Sequence, residues 1–168
     1  MLVIYDLDKT SIYCPIALWL DNQFWLKKIL PTRLFYSLYT PVYIFEMMFG
    51  FFKVNDKIYE RAKIYRQFRD TKQVVITARH DTLITRIQKK LVFKDIDNEI
   101  ELYCTANGIT GQSKAILVKN KITSNKNRNI LMYDDNFYEL AAMKLNFKNT
   151  VQLKTEFLGK NETVTQLC

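Results

Sequence analysis

Leu2-Val3-Ile4-Tyr5 is an apolar run of strand length, β-branched at its centre, and it stops at an aspartate. A run with no polar face must be covered on both sides, as the strands of a central parallel sheet are. Similar runs recur at Gln73–Thr77, Ile100–Cys104, Asn129–Tyr133 and Thr150–Leu153. Helical stripes lie between them: Ile58, Ala62, Tyr65 and Phe68, then Leu83, Ile84, Ile87 and Leu91 behind an Asp81 or Thr82 cap. Ser113 is placed to cap a helix carrying Ile116 and Leu117, and Phe137, Leu140, Ala141 and Met143 form the next stripe. Strands alternating with helices predict an α/β fold, a Rossmann-like three-layer domain with a central parallel sheet and right-handed crossovers. One such domain accounts for residues 1–168. A hydrophobic content of 48%, with 11 Phe and 10 Tyr, supplies its core and excludes a disordered chain.

Residues 11–56 interrupt the alternation. This stretch is too long for a simple crossover and is rich in Trp, Tyr and Phe, so a small helical insertion after the first strand is expected. Leu34 to Phe52 has the length of a membrane helix, but Pro41 breaks it and Glu46 would be an unpaired charge within lipid. A helix lying on a membrane surface stays open, since Trp and Tyr are flanked there by Lys27, Lys28 and Arg33. The 25 Lys and Arg outnumber the 17 Asp and Glu, leaving +8, a balance that suits a phosphate-bearing partner such as nucleic acid or an anionic membrane. Lys114, Lys119, Lys121, Lys126 and Arg128 have no acid between them and form the basic stretch best suited to nucleic acid. Three dispersed cysteines, Cys14, Cys104 and Cys168, give no disulfide framework or zinc spacing and favour a reducing compartment. The opening residues lack a basic signal-type segment, so a cytoplasmic protein, peripheral to a membrane at most, is expected, with no obligate protein partner.

The chemistry concentrates at strand ends. In an open parallel sheet, ligands bind beyond the carboxyl ends of the strands. The first strand delivers Asp6-Leu7-Asp8-Lys9-Thr10 to that edge, and the fourth delivers Asp134-Asp135. Four converging carboxylates repel one another unless a cation holds them, and hard oxygen ligands at that density suit Mg²⁺. Thr77, followed by Ala78 and Arg79, offers a hydroxyl and backbone donors for a phosphate oxygen, and Lys114 opens the helix before the fourth strand. A carboxylate nucleophile facing a phosphate needs such cations to neutralise charge.

These residues resemble the motifs of the haloacid dehalogenase (HAD) superfamily of phosphohydrolases. A hydrophobic strand followed by Asp-x-Asp-x-Thr is matched by residues 2–10, and a strand ending in Thr by Val74–Thr77. The helix-borne lysine is best placed at Lys114, which has the helix-start position, with Lys119 and Lys121 as rivals, and a strand ending in paired acids is matched by Ile130–Asp135. The resemblance implies a HAD-like fold and an Mg²⁺-dependent phosphatase working through an aspartyl-phosphate. Asp6 would attack phosphorus, while Asp8 would protonate the leaving oxygen and then activate water. Thr77, Ala78 and Lys114 would hold the phosphoryl group, and Thr10 would orient the first loop. The metal would be held by Asp6, the Asp8 carbonyl and one or both of Asp134 and Asp135. The aromatic insertion stands where a C1-type cap stands in that family.

Lys9 departs from the glycine many members carry. Two looser likenesses divide the substrate reading. Asp-x-Asp-Lys-Thr with Leu18-Trp19, Thr77-Ala78-Arg79 and Arg86-Ile87 is similar to HAD domains of RNA repair and favours nucleotide or nucleic-acid-end phosphates. The long apolar insertion is similar to membrane-associated HAD phosphatases of phosphatidylglycerophosphate. A non-catalytic HAD-like module that binds nucleic acid is the rival of another class. His80 and Cys104 read as a loop histidine and a core thiol rather than catalytic groups.

Overall fold

The computed structural model describes residues 1–23, 28–30, 38–79, 81–105 and 114–167. Ser113, His80, Lys27, Arg33, Cys168 and part of the aromatic stretch lie outside them.

β1 (Leu2–Tyr5) lies in the middle of the main sheet, with all four residues fully buried. It pairs in parallel with β4 (Lys72–Thr77) on one side and β6 (Ile130–Asp134) on the other, Tyr5 standing opposite both Val75 and Tyr133. β5 (Glu101–Cys104) extends the β4 side in parallel, and β7 (Thr150–Phe157) extends the β6 side. The order is thus β5-β4-β1-β6-β7, with β8 (Glu162–Leu167) added antiparallel beyond β7. The chain starts at the centre, builds outward through β4 and β5, and returns to the other flank of β1. Between β1 and β6 the direction of building reverses, which is the crevice where α/β sheets take ligands.

Strand periodicity sorts the core into two layers. Val3, Tyr5 and Val75 face α3 (Asp56–Arg66) and α4 (Leu83–Phe93), packing with Ile58, Ala62, Val92 and Phe93. Leu2, Ile4, Val74, Ile76 and Met132 face the other way, against Ala115 and Leu117 of α5 (Lys114–Leu117) and Leu140 and Met143 of α6 (Phe137–Asn146). Each fully buried aliphatic side chain contributes about 1.5–3 kcal/mol relative to exposure. This is an α/β architecture with a mostly parallel central sheet and flanking helices, compatible with a Rossmann-like fold.

Several local expectations need correction. α4 is capped by Thr82, whose hydroxyl accepts from the Thr85 amide at 3.3 Å, but of its apolar stripe only Ile84 packs against the core. Leu83 is 74% exposed and Ile87 and Leu91 are also exposed, while Thr85, Gln88, Val92 and Phe93 are buried. The helix is rotated because Gln88 has polar partners inside. Phe68 lies beyond the end of α3 and is exposed, as are Ile116 and Phe137. β7 runs four residues past the expected Leu153. β8 was not expected, because Glu-Thr-Val-Thr-Gln-Leu is a mostly exposed edge strand without an apolar run.

The insertion begins and ends at one place. β2 (Ile12–Tyr13) pairs antiparallel with β3 (Lys53–Val54), and the intervening chain carries α1 (Pro15–Asp21) and α2 (Tyr39–Met48). Glu46, the charge that argued against a membrane span, is fully buried. Its carboxylate accepts from the Ile16 amide at 2.6 Å and the Ala17 amide at 3.4 Å, so it caps α1, whose own N-cap residue, Cys14, supplies no side-chain acceptor. Burial holds its pKa above the ordinary value even so. Among the described residues no helix is long and apolar enough to cross a membrane.

Candidate active site

The loop after β1 is tied down by its own backbone. Ser11 Oγ donates to the Asp6 carbonyl at 2.5 Å, and the Ser11 and Ile12 amides both donate to the Leu7 carbonyl. Closing this turn puts Lys9 at φ +55°, in the left-handed region, which explains why glycine suits this position; a side chain there costs about 1–2 kcal/mol. The loop is also fastened from outside. Phe157 in β7 donates its amide to the Lys9 carbonyl, and Asn55, the N-cap of α3, donates to the Thr10 carbonyl at 2.8 Å. Thr10 is fully buried, with its hydroxyl 3.5 Å from the Thr155 carbonyl, a position suited to the orienting role expected of it.

Asp6, Asp134 and Asp135 converge across the β1–β6 crevice, with one carboxylate oxygen of each within 4.8 Å of the others. Lys114, only 4% exposed, lies among them, its Nζ 2.5 Å from both Asp6 Oδ1 and Asp134 Oδ2. The other Asp134 oxygen accepts from the Asn136 amide at 2.9 Å. Burial and the neighbouring acids push the Asp6 carboxyl well above the usual carboxylate range, against the pull of Lys114. Burial, with Asp134 next, raises Asp135 to about 6, opposed by Lys9, whose Nζ is 3.8 Å from its carboxylate. Burial disfavours the Lys114 charge, but Asp134 and Asp6 outweigh it and hold the ammonium above its ordinary pKa. The Lys114 amide at the start of α5 donates to Glu139 of α6 at 2.8 Å. Glu139 carries no sequence signal for that role.

Asp8 does not join the three-carboxylate group. Arg79 Nε donates to Asp8 Oδ2 at 2.8 Å, and Arg79 Nη2 donates to Asp8 Oδ1. The third guanidinium contact is Arg79 Nη1 to Gln88 Oε1, which turns Gln88 inward, and the plane lies 3.9 Å over the Tyr43 ring. The Arg79 guanidinium thus joins Asp8, Gln88 and Tyr43, and nothing in the local sequence points to Gln88 or Tyr43. Thr77 is fully buried at the end of β4, where its hydroxyl accepts from the Arg79 amide at 3.3 Å, and Ala78 is exposed beside it. Lys119, Lys121 and Lys126 are exposed, with Arg128 half-buried, and none of them is among the partners of the three acids. Cys104 is half-buried and its thiol is raised to about 11, chiefly by burial, as befits an unreactive thiol.

Three carboxylates face two ammonium groups here, and the three acids gather hard oxygen donors at one place. These donors fit a hard metal cation. Comparison with models of known protein families, with curated proteins and with solved structures yields no match.

Proposed function

We propose that this protein is an Mg²⁺-dependent phosphomonoesterase of HAD type, with Asp6 as nucleophile. One observation carries the reading: Lys114 bridges Asp6 and Asp134 inside the crevice where the sheet reverses its building direction, with Asp135 in reach. A structural ion pair would need one acid for one base, and burying a surplus of carboxylates without a ligand is costly. Asp6, Asp134, Asp135 and the Asp8 carbonyl would hold the metal. When bound, Mg²⁺ supplies charge neutralisation at the attacking carboxylate and at the phosphate oxygens.

The residues divide the reaction as follows. An Asp6 oxygen forms a bond to phosphorus as the ester P–O bond breaks, and Asp8 gives its proton to the leaving oxygen. Asp8 then takes a proton from water, whose oxygen attacks phosphorus and breaks the bond to Asp6, releasing inorganic phosphate. Lys114 neutralises charge on the transferring group, and Thr77 with the Ala78 amide orients a non-bridging oxygen. Hydrolysis of a generic aryl phosphate with Mg²⁺, against EDTA and against Asp6→Asn, tests this. Metal-dependent turnover lost in the variant is expected. No turnover above that variant across several phosphate esters would favour a non-catalytic binding module instead.

For substrate class, the exposed lysines at 119, 121 and 126 support nucleotide or nucleic-acid-end phosphates. A lipid phosphate is the second reading, favoured by α2 and the turn after it: Phe45, Phe49 and Phe51 are exposed, with Phe45 and Phe49 ring centroids 4.6 Å apart, while the helix's only acid is turned inward. A panel of 3′- and 5′-phosphorylated oligonucleotides, nucleotides, sugar phosphates and phosphatidylglycerophosphate separates them. Activity confined to the lipid would overturn the first reading.

A further inference from the structure

We propose that Tyr43, on α2 of the insertion, is a positioning residue for Asp8, acting through Arg79. This rests on the phosphatase reading and adds to it a role for the insertion. The Asp8 side chain is 43% exposed, and a carboxylate at such a position is free to rotate unless something holds it. Two groups do. Arg79 grips both oxygens with a forked pair of N–H donors, a geometry that fixes direction as well as distance. Tyr43 lies beneath that fork, its ring 3.9 Å from the guanidinium carbon, and its hydroxyl is 3.4 Å from Asp8 Oδ1. The Arg79 side chain is only 8% exposed and Tyr43 is also 8% exposed, so the stack is largely removed from water, where a cation over a ring is strongest. Gln88 holds the remaining edge of the guanidinium and itself donates to Cys14 Sγ at 3.8 Å, just before α1. The proton donor of the core is thus oriented by a ring that belongs to the insertion.

The ring, rather than the hydroxyl, is the working part, because the hydroxyl contact is long for a hydrogen bond. Both Asp8 oxygens accept from Arg79 in this state, so one N–H contact gives way when Asp8 carries the proton that it passes to the leaving oxygen as the P–O bond breaks. The other contact keeps the carboxyl aimed. Misplacement by about 1 Å can cost about 100-fold in rate, and in the step that expels the leaving group a misaimed acid matters only where that group needs a proton.

The test compares an aryl phosphate, whose leaving group departs without protonation, with an alkyl phosphate, whose leaving group does not. For Tyr43→Leu the alkyl ester should lose about 10- to 100-fold in kcat/KM and the aryl ester no more than about threefold, because kcat/KM reports the step that expels the leaving group and not the later water step that Asp8 serves for both esters. Tyr43→Phe keeps the ring and should stay within about threefold of wild type on both. Equal losses on the two esters, or no loss on either, with the fold intact by circular dichroism, would overturn the proposal. A second measurement does not depend on activity: a double-mutant cycle of Tyr43→Leu and Asp8→Asn by urea unfolding. Non-additive stabilities are expected, because the two residues share Arg79, and additivity would refute the clamp. A wild type inert toward every ester would refute the phosphatase reading and with it the catalytic half of this proposal, while the cycle still decides the clamp.

Discussion

Replacing Lys114 by methionine keeps the length and bulk of the side chain and deletes only its charge. The ammonium is 2.5 Å from two buried carboxylates, so the variant leaves Asp6 and Asp134 facing each other, and Asp135, without their shared cation. Breaking a buried pair by removing one partner costs about 3–5 kcal/mol. At about 2–4 °C per kcal/mol for a chain of this size, the melting temperature in EDTA should fall by roughly 6–20 °C. A divalent ion supplies the missing positive charge, so Mg²⁺ should recover much of the loss. At a concentration about 100 times its Kd, a ligand that binds only the folded state contributes about 2.7 kcal/mol. The assay is differential scanning fluorimetry of wild type and variant, each with EDTA and across a Mg²⁺ titration. The variant's midpoint should rise more steeply with Mg²⁺ than that of wild type. A variant melting within about 2 °C of wild type in EDTA, or gaining no more from Mg²⁺ than wild type does, would show that Lys114 does not neutralise the acids as argued.

Three further outcomes follow from the same geometry. Glu162, almost buried, receives Arg61 at 2.6 and 3.0 Å and Asn55 at 2.9 Å; burial alone would raise its pKa, but Arg61 and Asn55 hold it below the ordinary value. Its stabilisation is therefore present above the unfolded-state pKa and lost as pH falls through the folded one: Glu162→Gln should cost about 1.5–3 kcal/mol at pH 7 by urea unfolding and nothing once wild-type Glu162 is protonated, and a pH-independent cost would refute the linkage. Gly159 has φ +83°, and a Cβ there would lie 3.1 Å from the Tyr13 ring, so Gly159→Ala should cost about 1–3 kcal/mol in thermal unfolding without altering the Mg²⁺ response, and an unchanged melting temperature would contradict it. The exposed face of α2 should carry the protein to the top of a flotation gradient with anionic vesicles, less so after Phe45→Ser and Phe49→Ser; failure of wild type to float removes the membrane reading.

The strands that build the centre of the sheet were readable because each is a short run that must be buried on both faces, and their ends bring Asp6 and Asp134 to one crevice, where Lys114 reaches them from the start of α5. What was not readable has a common cause. α4 turns Gln88 inward and leaves Leu83, Ile87 and Leu91 outside because Gln88 answers a guanidinium nine residues earlier in the chain. Periodicity records hydrophobicity, not hydrogen bonds made across the fold. Glu46 shows the same limit: as a letter it was an obstacle to a membrane helix, and in the fold it is the cap that a seven-residue helix lacks. The Arg79–Tyr43 contact joins residues 36 positions apart, and no local pattern announces such a pair. β8 escaped notice because an edge strand with water on it needs no apolar run.

The pairing of Ile12–Tyr13 with Lys53–Val54 has an architectural consequence. Directly opposed residues in antiparallel strands have Cα atoms about 4.5–5.5 Å apart, so the two severed ends left by excising everything between them could be rejoined by a short hairpin. The core would keep Asp6, Asp134, Asp135 and Lys114 and would lose α1, α2 and, with Tyr43, the ring beside Arg79. A lineage could therefore exchange one insertion for another, or shrink it, by changes confined to that gateway, while the strands of the main sheet kept their order and register.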